Sequence, residues 1–261
     1  MNPFKYDFGY EWQYAWIHVI PLAISLIAIV VSVRRRSRPW VLVGAIVLGV
    51  WALVSLAIVQ FAMRINLPLE LPTQAFLPKG SGRVLDLGAG SGRATIMVLN
   101  ERPQTSVVAL DLFREGYGIG QNSKERLRAN AEIAGAAARV DVQSGDMREM
   151  AFQDASFDAV VTSYAIDHMR QEDLVRALRE IHRVLRDDGD LLIEVMEADA
   201  YVHFAFPLLG AHGYFGPNNA ESHWRSLVES AALEVVESGH VPGTAYVLAR
   251  KKGVNLSARE E

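Results

Sequence analysis

Three glycines occupy five consecutive positions in the segment DLGAGSG, at Gly88, Gly90 and Gly92. Ordered glycines cost conformational entropy, so a cluster of them is typical of a turn that brings the backbone close to a ligand. The preceding residues, VLDL, favour a short apolar strand, and the residues after the turn favour a helix. A glycine turn between a strand and a helix predicts a binding site for a nucleotide or a related ligand.

Three ligands fit such a turn: a triphosphate, a dinucleotide and S-adenosylmethionine. A triphosphate is excluded because no Gly-Lys-Ser/Thr sequence follows the glycines. A dinucleotide is partly supported, because Asp111 lies 23 positions after Gly88, which fits the spacing of a ribose-binding acid. However, Arg93 stands where the third glycine of the dinucleotide motif Gly-x-Gly-x-x-Gly belongs. Acids around the turn would repel a pyrophosphate, whereas they suit the sulfonium and ammonium groups of S-adenosylmethionine.

Strands and helices alternate from residue 83 onward. Strands are predicted over 84–88, 107–113, 138–147, 157–164, 190–196, 233–239 and 244–250, and helices over 91–101, 121–135, 171–186 and 221–233. This order predicts an α/β fold, a doubly wound and mostly parallel seven-stranded sheet with helices on both faces. Ligands of such sheets bind beyond the carboxyl ends of the strands, where the strand order reverses.

The order of short motifs along this region resembles that of class I S-adenosylmethionine-dependent methyltransferases. The motifs are DLGAGSG, an aspartate that ends the second strand, SGDM after the third strand, FDAVVTSYAIDHM around the fourth and RVLRDDGDLLIEV leading into the fifth. The last motif has aspartates where that family usually has Pro-Gly. The resemblance covers about residues 80–250. It implies methyl transfer with S-adenosylmethionine as cofactor and S-adenosylhomocysteine as product.

The resemblance also implies which residues hold the cofactor, all of them at or near the carboxyl ends of the first four strands. They are Asp86, Gly88, Gly90, Gly92, Asp111, Leu112, Asp146, Met147 and Tyr164. The glycines would let the backbone approach the methionine and ribose, and Asp86 would orient the ammonium end or the loop itself. Asp111 would accept both ribose hydroxyls. Asp146 would accept from the adenine amino group, and Met147 would pack on the ring.

The acceptor is expected just after strands four and five. His168 is the best candidate for a general base, with Asp167 or Glu197 to orient it, although it could instead cap the following helix. A base is needed only where the acceptor must lose a proton. Glu194 and Glu197 could bind a cationic acceptor such as an amine or imidazole, or could simply face water.

An aromatic insertion, residues 198–223, follows strand five and is predicted to form a lid or an acceptor pocket. Its candidate acceptor-binding residues are Tyr201, His203, His212 and Tyr214. No ligand spacing here is diagnostic of a metal, so no metal site is predicted. The aromatic side chains could instead enter a membrane interface.

Two uncharged apolar runs, residues 16–33 and 40–63, precede the α/β region and predict a membrane hairpin of two spanning helices. Between them lies RRRSRP, which the positive-inside preference would place in the cytoplasm. Two spans would then carry the rest of the chain away from the cytosolic cofactor. Either that preference is broken here, or one of the two segments lies in the membrane interface or re-enters instead of crossing, so the side that the arginines face stays open. We expect an integral membrane protein whose catalytic domain faces the cytoplasm.

Composition limits the remaining possibilities. The 261 residues carry a net charge of −4, so there is no basic surplus for a nucleic-acid partner. The absence of cysteine excludes disulfides and thiolate nucleophiles. The predicted organisation is a membrane region over 1–63, a linker over 64–82, a methyltransferase domain over 83–252 and a tail over 253–261. The membrane helices could also join copies into a homo-oligomer.

The acceptor itself can be one of two kinds. The acids and histidines near strand five favour a small polar molecule such as an amine, imidazole or thiol, and this is the acceptor that we expect. The hairpin favours a membrane lipid or quinone instead. A protein that binds the cofactor without catalysis, as a membrane sensor or scaffold, fits the same motifs.

Overall fold

A seven-stranded mixed sheet organises the chain after residue 80. The strands are β1 (Ser81–Leu87), β2 (Gln104–Asp111), β3 (Val140–Ser144), β4 (Phe157–Ser163), β5 (Leu185–Met196), β6 (Leu233–Val241) and β7 (Thr244–Lys251). Their order is β3-β2-β1-β4-β5-β7-β6. Strands β1 to β5 are parallel, and β7 pairs antiparallel with both β5 and β6. The predicted seven-stranded, mostly parallel α/β sheet is confirmed.

The computed structural model describes residues 5–114, 119–207 and 220–252. The helices in these ranges are α1 (Trp12–Ala15), α2 (Val19–Arg34), α3 (Pro39–Ala57), α4 (Arg93–Glu101), α5 (Lys124–Ile133), α6 (Gln171–Val184), α7 (Ala200–Ala205) and α8 (Ala220–Ser230). A π-helical turn, Ile58–Ala62, continues α3.

Helices cover both faces of the sheet because successive strand side chains point to opposite sides. Val84 and Val107 pack with α4 on one face, whereas Leu85 and Val108 pack with α6 and α8 on the other. Helix α6 covers one of these faces because it is amphipathic. Its buried residues recur at helical spacing and include Leu174, Ala177, Leu178, Ile181 and Val184.

The strand order reverses between β1 and β4, and the glycine turn leaves the sheet at this point. Gly88 has φ +70°, and a Cβ atom there would overlap the Cβ atom of Ala165. Gly92 has φ +88°, and its Cβ atom would lie 2.9 Å from Cγ of Leu127. The turn therefore requires glycine at both positions, for conformation and for space.

The N-terminal helices α2 and α3 pack against each other. Ser25 Oγ, in α2, donates to the carbonyl oxygen of Ala45, in α3, at 2.7 Å. Within the described ranges, one helix, Pro39–Ala62 with 24 residues and mean hydropathy 2.7, is long and apolar enough to cross a membrane. Helix α2 has only 16 residues. The expectation of two spanning helices is therefore not supported by length, and α3 alone meets the requirement.

Residues 64–82 contain no helix and no strand before Ser81, but they are not a loose linker. Leu69, Leu71, Phe76 and Leu77 are buried against the same sheet face as α4. The side chain of Arg102 also donates to the carbonyl oxygens of Phe76 and Leu77 at 2.9 and 3.1 Å. This segment therefore joins α3 rigidly to the sheet.

An N-terminal strap, residues 5–11, lies across the α/β domain ahead of α2. Phe8 is buried, and the backbone N–H of Asp7 donates to Oδ1 of Asn130 at 3.0 Å. Asn130 Nδ2 donates back to the carbonyl oxygen of Asp7 at 2.7 Å, and Gly120 N–H donates to the carbonyl oxygen of Gly9. Both chain segments that flank the helix pair are thus bound to the α/β domain.

Candidate functional site

Two cavities meet at the carboxyl ends of the parallel strands. The strand-end cavity, about 340 Å³, lies over the ends of β1, β2 and β3. The hairpin-side cavity, about 520 Å³, lies between the glycine turn, the strap and the end of α3. Both cavities share five lining residues: Gly88, Gly90, Ile119, Tyr164 and His168. A ligand that extends along the glycine turn would therefore reach from one cavity into the other.

Asp111 stands in the wall of the strand-end cavity, held by the glycine turn. Its Oδ2 accepts from Gly90 N–H at 2.9 Å, and its Oδ1 accepts from Phe113 N–H and from Asn122 Nδ2 at 3.2 Å. A carboxylate has about four acceptor positions, so hydroxyl groups can still be accepted. Oδ1 of Asn122, in the same wall, is buried and has no partner among the described residues. This pair of oxygens fits a ribose diol.

Leu112 and Met147 also line the strand-end cavity, as expected for residues that contact an adenine. Asp146 lines it too, but its carboxylate is already paired. Arg148 donates to both of its oxygens, at 2.6 to 3.0 Å, and these bonds hold the pKa of Asp146 below its usual value. Asp146 thus lies in the cavity wall with its carboxylate bound to Arg148, and its bond to the adenine amino group stays a prediction.

Asp86 lines neither cavity. It is fully buried in β1, and its Oδ2 accepts from Thr95 Oγ1, in α4, at 2.5 Å. Burial raises the pKa of Asp86 to about 7. Of the two roles considered for Asp86, the geometry fits the second, in which the carboxyl orients the loop by tying β1 to α4.

Tyr164 and His168 stand where the two cavities join. Tyr164 has φ +53°, its hydroxyl bonds Oγ1 of Thr244 at 2.6 Å, and burial raises the pKa of this phenol. His168 lies in the 3₁₀ turn Ile166–His168 and is exposed. It is the histidine that lines both cavities among the described residues.

The two predicted partners of His168 are placed differently, since Asp167 is its neighbour in the same turn and interacts with its charge, whereas Glu197 is bound to another histidine. Asp167 lines neither cavity; its Oδ2 accepts only a long bond of 3.5 Å from Met196 N–H, and burial raises its pKa. Glu197 is buried and pairs with His240, whose Nδ1 lies 2.5 Å from Oε2. Glu197 thus already has another histidine as its partner, and its orientation of His168 stays a prediction.

The predicted acceptor-binding residues do not line the hairpin-side cavity where the structure describes them. Glu194 is buried behind Ser163, whose hydroxyl donates to it, and burial raises the pKa of Glu194 to about 7. Tyr201 and His203 are exposed on α7. His212 and Tyr214 lie outside the described residues.

Sequence reasoning missed Arg93, which follows the glycine turn and is buried in the wall of the hairpin-side cavity. Its guanidinium donates to the carbonyl oxygens of Met63, Arg64 and Leu67 at 3.1, 2.6 and 3.0 Å, and to the Tyr10 hydroxyl at 3.2 Å. No carboxylate of the described chain forms an ion pair with it. Its position is a usable signal, because Arg93 is a charged residue at the start of a helix whose following residues are mostly buried.

Apolar side chains dominate the rest of the hairpin-side cavity. They come from the end of α3, from the segment that follows it and from the region around α7: Val59, Met63, Ile65, Leu69, Met196 and Phe206. Residues 59–69 could not be assigned to the site from the sequence, because no local pattern relates the end of an apolar helix to a glycine turn.

Residues 84–189 match the model of the family described as methyltransferase domain. The match supports S-adenosylmethionine-dependent methyl transfer as the activity of this region. The geometry agrees with that cofactor, since the glycine turn, Asp111 and the unpartnered Asn122 oxygen suit its ribose, and the ends of the two cavities suit its adenine and methionine parts.

Individual relatives of the domain are distant. The ubiquinone/menaquinone biosynthesis C-methyltransferase UbiE of Citrifermentans bemidjiense is 32% identical over 115 residues, which cover 44% of this chain and 45% of that protein. UbiE of Dinoroseobacter shibae is 30% identical over 160 residues, covering 59% and 60%. The chain thus spans about half the length of the first of these curated relatives.

A solved structure from Pyrococcus horikoshii OT3 has the same fold, with a TM-score of 0.52 and 17% identity. It covers 67% of this chain and 84% of that chain. At this identity the likeness extends to the fold alone.

Replacing Glu194 by Gln should flatten the dependence of stability on pH. The folded pKa of about 7 lies above the usual 4.5, so the folded chain holds a proton that the unfolded chain releases. The stability due to Glu194 is therefore full below about pH 4.5 and is lost as the pH rises through 7. We expect the melting temperature of Glu194→Gln to fall less than that of the unmodified chain across this range. The exposed Glu229→Gln is the control, and equal slopes in all three would contradict the assignment.

Replacing Arg93 by Gln should weaken binding of S-adenosylhomocysteine more than binding of 5′-methylthioadenosine, which lacks the amino-acid part. A guanidinium beside the glycine turn without a carboxylate partner fits the methionine carboxylate, and such a charged hydrogen bond contributes about 1.5–3 kcal/mol, or roughly tenfold to a hundredfold in affinity. Calorimetry on both ligands measures the difference. Arg102→Gln removes an equally buried arginine away from both cavities. An equal loss for both ligands in Arg93→Gln would show a purely structural role.

Proposed function

We propose that this protein is a membrane-anchored methyltransferase that transfers a methyl group from S-adenosylmethionine to a lipophilic small molecule. The observation that carries the proposal is the composition of the hairpin-side cavity. Val59 lies in the π-helical continuation of the apolar helix and Met63 follows it directly, and both face the same space as Gly88 and His168. An acceptor that dissolves in the membrane could therefore reach the reacting end of the cofactor.

This choice reverses the preference for a small polar acceptor. That preference depended on Glu194, Glu197, Tyr201 and His203 as polar contacts, and none of these lines the cavity. The cavity also keeps polar groups, among them Glu11, Arg93, His168 and the hydroxyls of Tyr10 and Tyr14. An apolar molecule with one or two oxygen substituents matches a largely apolar site with few, convergent polar groups.

The relatives support an acceptor of this kind. The UbiE proteins are named for C-methylation in ubiquinone and menaquinone biosynthesis, and quinones carry ring oxygens on a lipophilic body. Because the matched regions leave much of those proteins uncovered, the acceptor of this chain is inferred from its own cavity first and from the relatives second.

The residues around the cavities would have separate roles in methyl transfer. S-adenosylmethionine, when bound, supplies a methyl group on a sulfonium, so no leaving group needs activation by the protein. Asp111 and Asn122 would hold the ribose, and the glycine turn would set the depth of the cofactor. The apolar walls would exclude water and align the acceptor. Alignment can lower the activation free energy by about 7–11 kcal/mol in well-oriented systems.

Membrane anchoring accounts for the exposed apolar surface of the helix pair. Large side chains of α2 and α3 point outward along their length, among them Ile27, Val33, Trp40, Val43 and Val47. A contiguous apolar surface of this kind marks a membrane or protein contact. We propose a bilayer as the contact and the cytoplasmic face as the side of the catalytic domain, where S-adenosylmethionine is available.

The proposal is tested with membranes that contain the protein, S-adenosylmethionine labelled in the methyl group and a lipid extract of cells. We expect label in the organic phase, and none above background with Asp111→Ala. Ile65→Trp would fill the hairpin-side cavity and should abolish the transfer while S-adenosylhomocysteine still binds. Ile133→Trp, at the exposed end of α5, is the matched control. Label only in the aqueous phase would overturn the lipophilic acceptor.

Replacing His168 by Gln should lower kcat by about 10²–10⁴-fold, because a positioned base contributes that much when an acceptor must lose a proton. The affinity for S-adenosylhomocysteine should change little. Single-turnover rates of methyl transfer and calorimetry with S-adenosylhomocysteine measure the two effects separately. An unchanged kcat would show that the acceptor reacts without a base.

A further inference from the structure

The hydroxyl of Ser163 stands between the hairpin-side cavity and a buried carboxyl group. Ser163 ends β4 and lines the cavity, whereas Glu194 lies beside it in β5 and is only 1% exposed. The Ser163 hydroxyl donates to Oε2 of Glu194. The carboxyl group itself does not line the cavity. Any direct contact between this pair and a ligand in the cavity is therefore made by Ser163.

The pleat of the sheet directs both side chains to the face on which the cavity lies. Val161 in β4 and Leu192 in β5 pack on the α4 face of the sheet. Ser163 and Glu194 follow two positions later in the same strands, and alternate residues of a strand share a face. The apolar core on this face therefore ends at Val161 and Leu192, and the cavity begins where Ser163 stands in place of another apolar side chain.

The hydrogen bond to Glu194 fixes what Ser163 can offer to a ligand. A serine hydroxyl has one proton to donate and two lone pairs that accept, whereas an ionised carboxylate only accepts. With Glu194 ionised, the proton of Ser163 is committed to the carboxylate, and only the accepting side of the oxygen remains for the cavity. A ligand hydroxyl satisfies this oxygen. An ether or carbonyl oxygen does not, because no proton then lies between the two oxygens.

The groups around Glu194 allow it to ionise near neutral pH. Burial raises its pKa to about 7, and the Ser163 hydroxyl and the positive charge of Arg93 oppose the rise. The charged and titratable groups that face Glu194 come from β1, α4, the end of β4 and β7: Asp86, Arg93, Tyr164 and Tyr246. Burial raises the pKa of both tyrosines above 10, so they stay neutral in this range. The ionised form of Glu194 therefore predominates above about pH 7.

We propose that Ser163, held by Glu194, selects a methyl acceptor that presents a hydrogen-bond donor such as a hydroxyl group. The inference rests on the proposed lipophilic acceptor and names the polar group that this acceptor carries. Met63, Ile65 and Leu69 would contact its apolar body, and Ser163 would accept from its hydroxyl group. Ser163 is then a binding residue, and Glu194 is a positioning residue that acts through it. The proton transfer proposed for His168 is a separate step.

Two probes that share one lipophilic ring test the selection. 2-Naphthol can donate a hydrogen bond, and 2-methoxynaphthalene cannot. Their dissociation constants are measured with the full chain and saturating S-adenosylhomocysteine, in one detergent and at a pH above 7. We expect the preference for 2-naphthol to be about tenfold larger in the unmodified chain than in Ser163→Ala, as for one lost hydrogen bond. Partition of the probes into micelles is the same for every variant and cancels from this comparison.

Matched variants separate the hydroxyl from other causes. Ser163→Thr keeps a hydroxyl group and should keep the preference. Thr162→Val should keep it too, because Thr162 is buried next to Ser163 and lines neither cavity. The same preference in the unmodified chain and in Ser163→Ala would overturn the selection and leave the lipophilic acceptor standing. Binding of neither probe, or binding that survives Ile65→Trp, would instead overturn the lipophilic acceptor and the selection with it.

The dependence of the preference on pH tests the part of Glu194. As the pH falls through 7, protonated Glu194 can itself donate to Ser163, which frees the serine proton for an ether oxygen. We expect the preference for 2-naphthol to shrink in the unmodified chain and to stay constant in Glu194→Gln, which cannot ionise. Glu194→Gln also carries the test if Ser163→Ala does not fold. The same pH profile in both proteins would overturn the role of Glu194, because Asp86 and His168 titrate in both.

Discussion

The buried guanidinium of Arg93 connects the three parts of this protein. It belongs to the first turn of α4, directly after the glycine turn, and it donates to the carbonyl oxygens of Met63, Arg64 and Leu67 and to the Tyr10 hydroxyl. One side chain thus binds the sheet's ligand-binding turn to the end of the apolar helix and to the strap. A buried charge costs several kcal/mol unless its hydrogen bonds are satisfied, so these carbonyl groups must stay in place.

The shape of the hairpin-side cavity follows from that connection. Because the segment after α3 is held against α4, Met63, Ile65 and Leu69 become walls of the space in front of Gly88. The same hydrogen bonds place these apolar side chains and the glycine turn in the walls of one cavity. An acceptor from the bilayer would then need no passage through water to reach the methyl donor.

Charge around the cavity is also set by burial. Asp86 and Glu194 both lie behind the cavity wall, and burial raises the pKa of each to about 7. The positive charge of Arg93 opposes this rise at Glu194. At the strand-end cavity, Arg148 forms salt bridges with both Asp146 and Asp173, so one arginine serves two carboxylates.

The sequence by itself determined the order of strands and helices, because the apolar periodicity and the glycine turn at Gly88 are local properties of the chain. It also placed Asp111, Tyr164 and His168 at strand ends, where parallel strands bring side chains together. Tertiary structure decided what surrounds them. Glu197 binds His240, Glu194 lies behind Ser163, and residues 59–69 reach the site, since such contacts depend on packing between segments far apart in the chain. Local sequence patterns do not show which distant carbonyl groups accept hydrogen bonds from a buried arginine. The hairpin-side cavity depends on those hydrogen bonds.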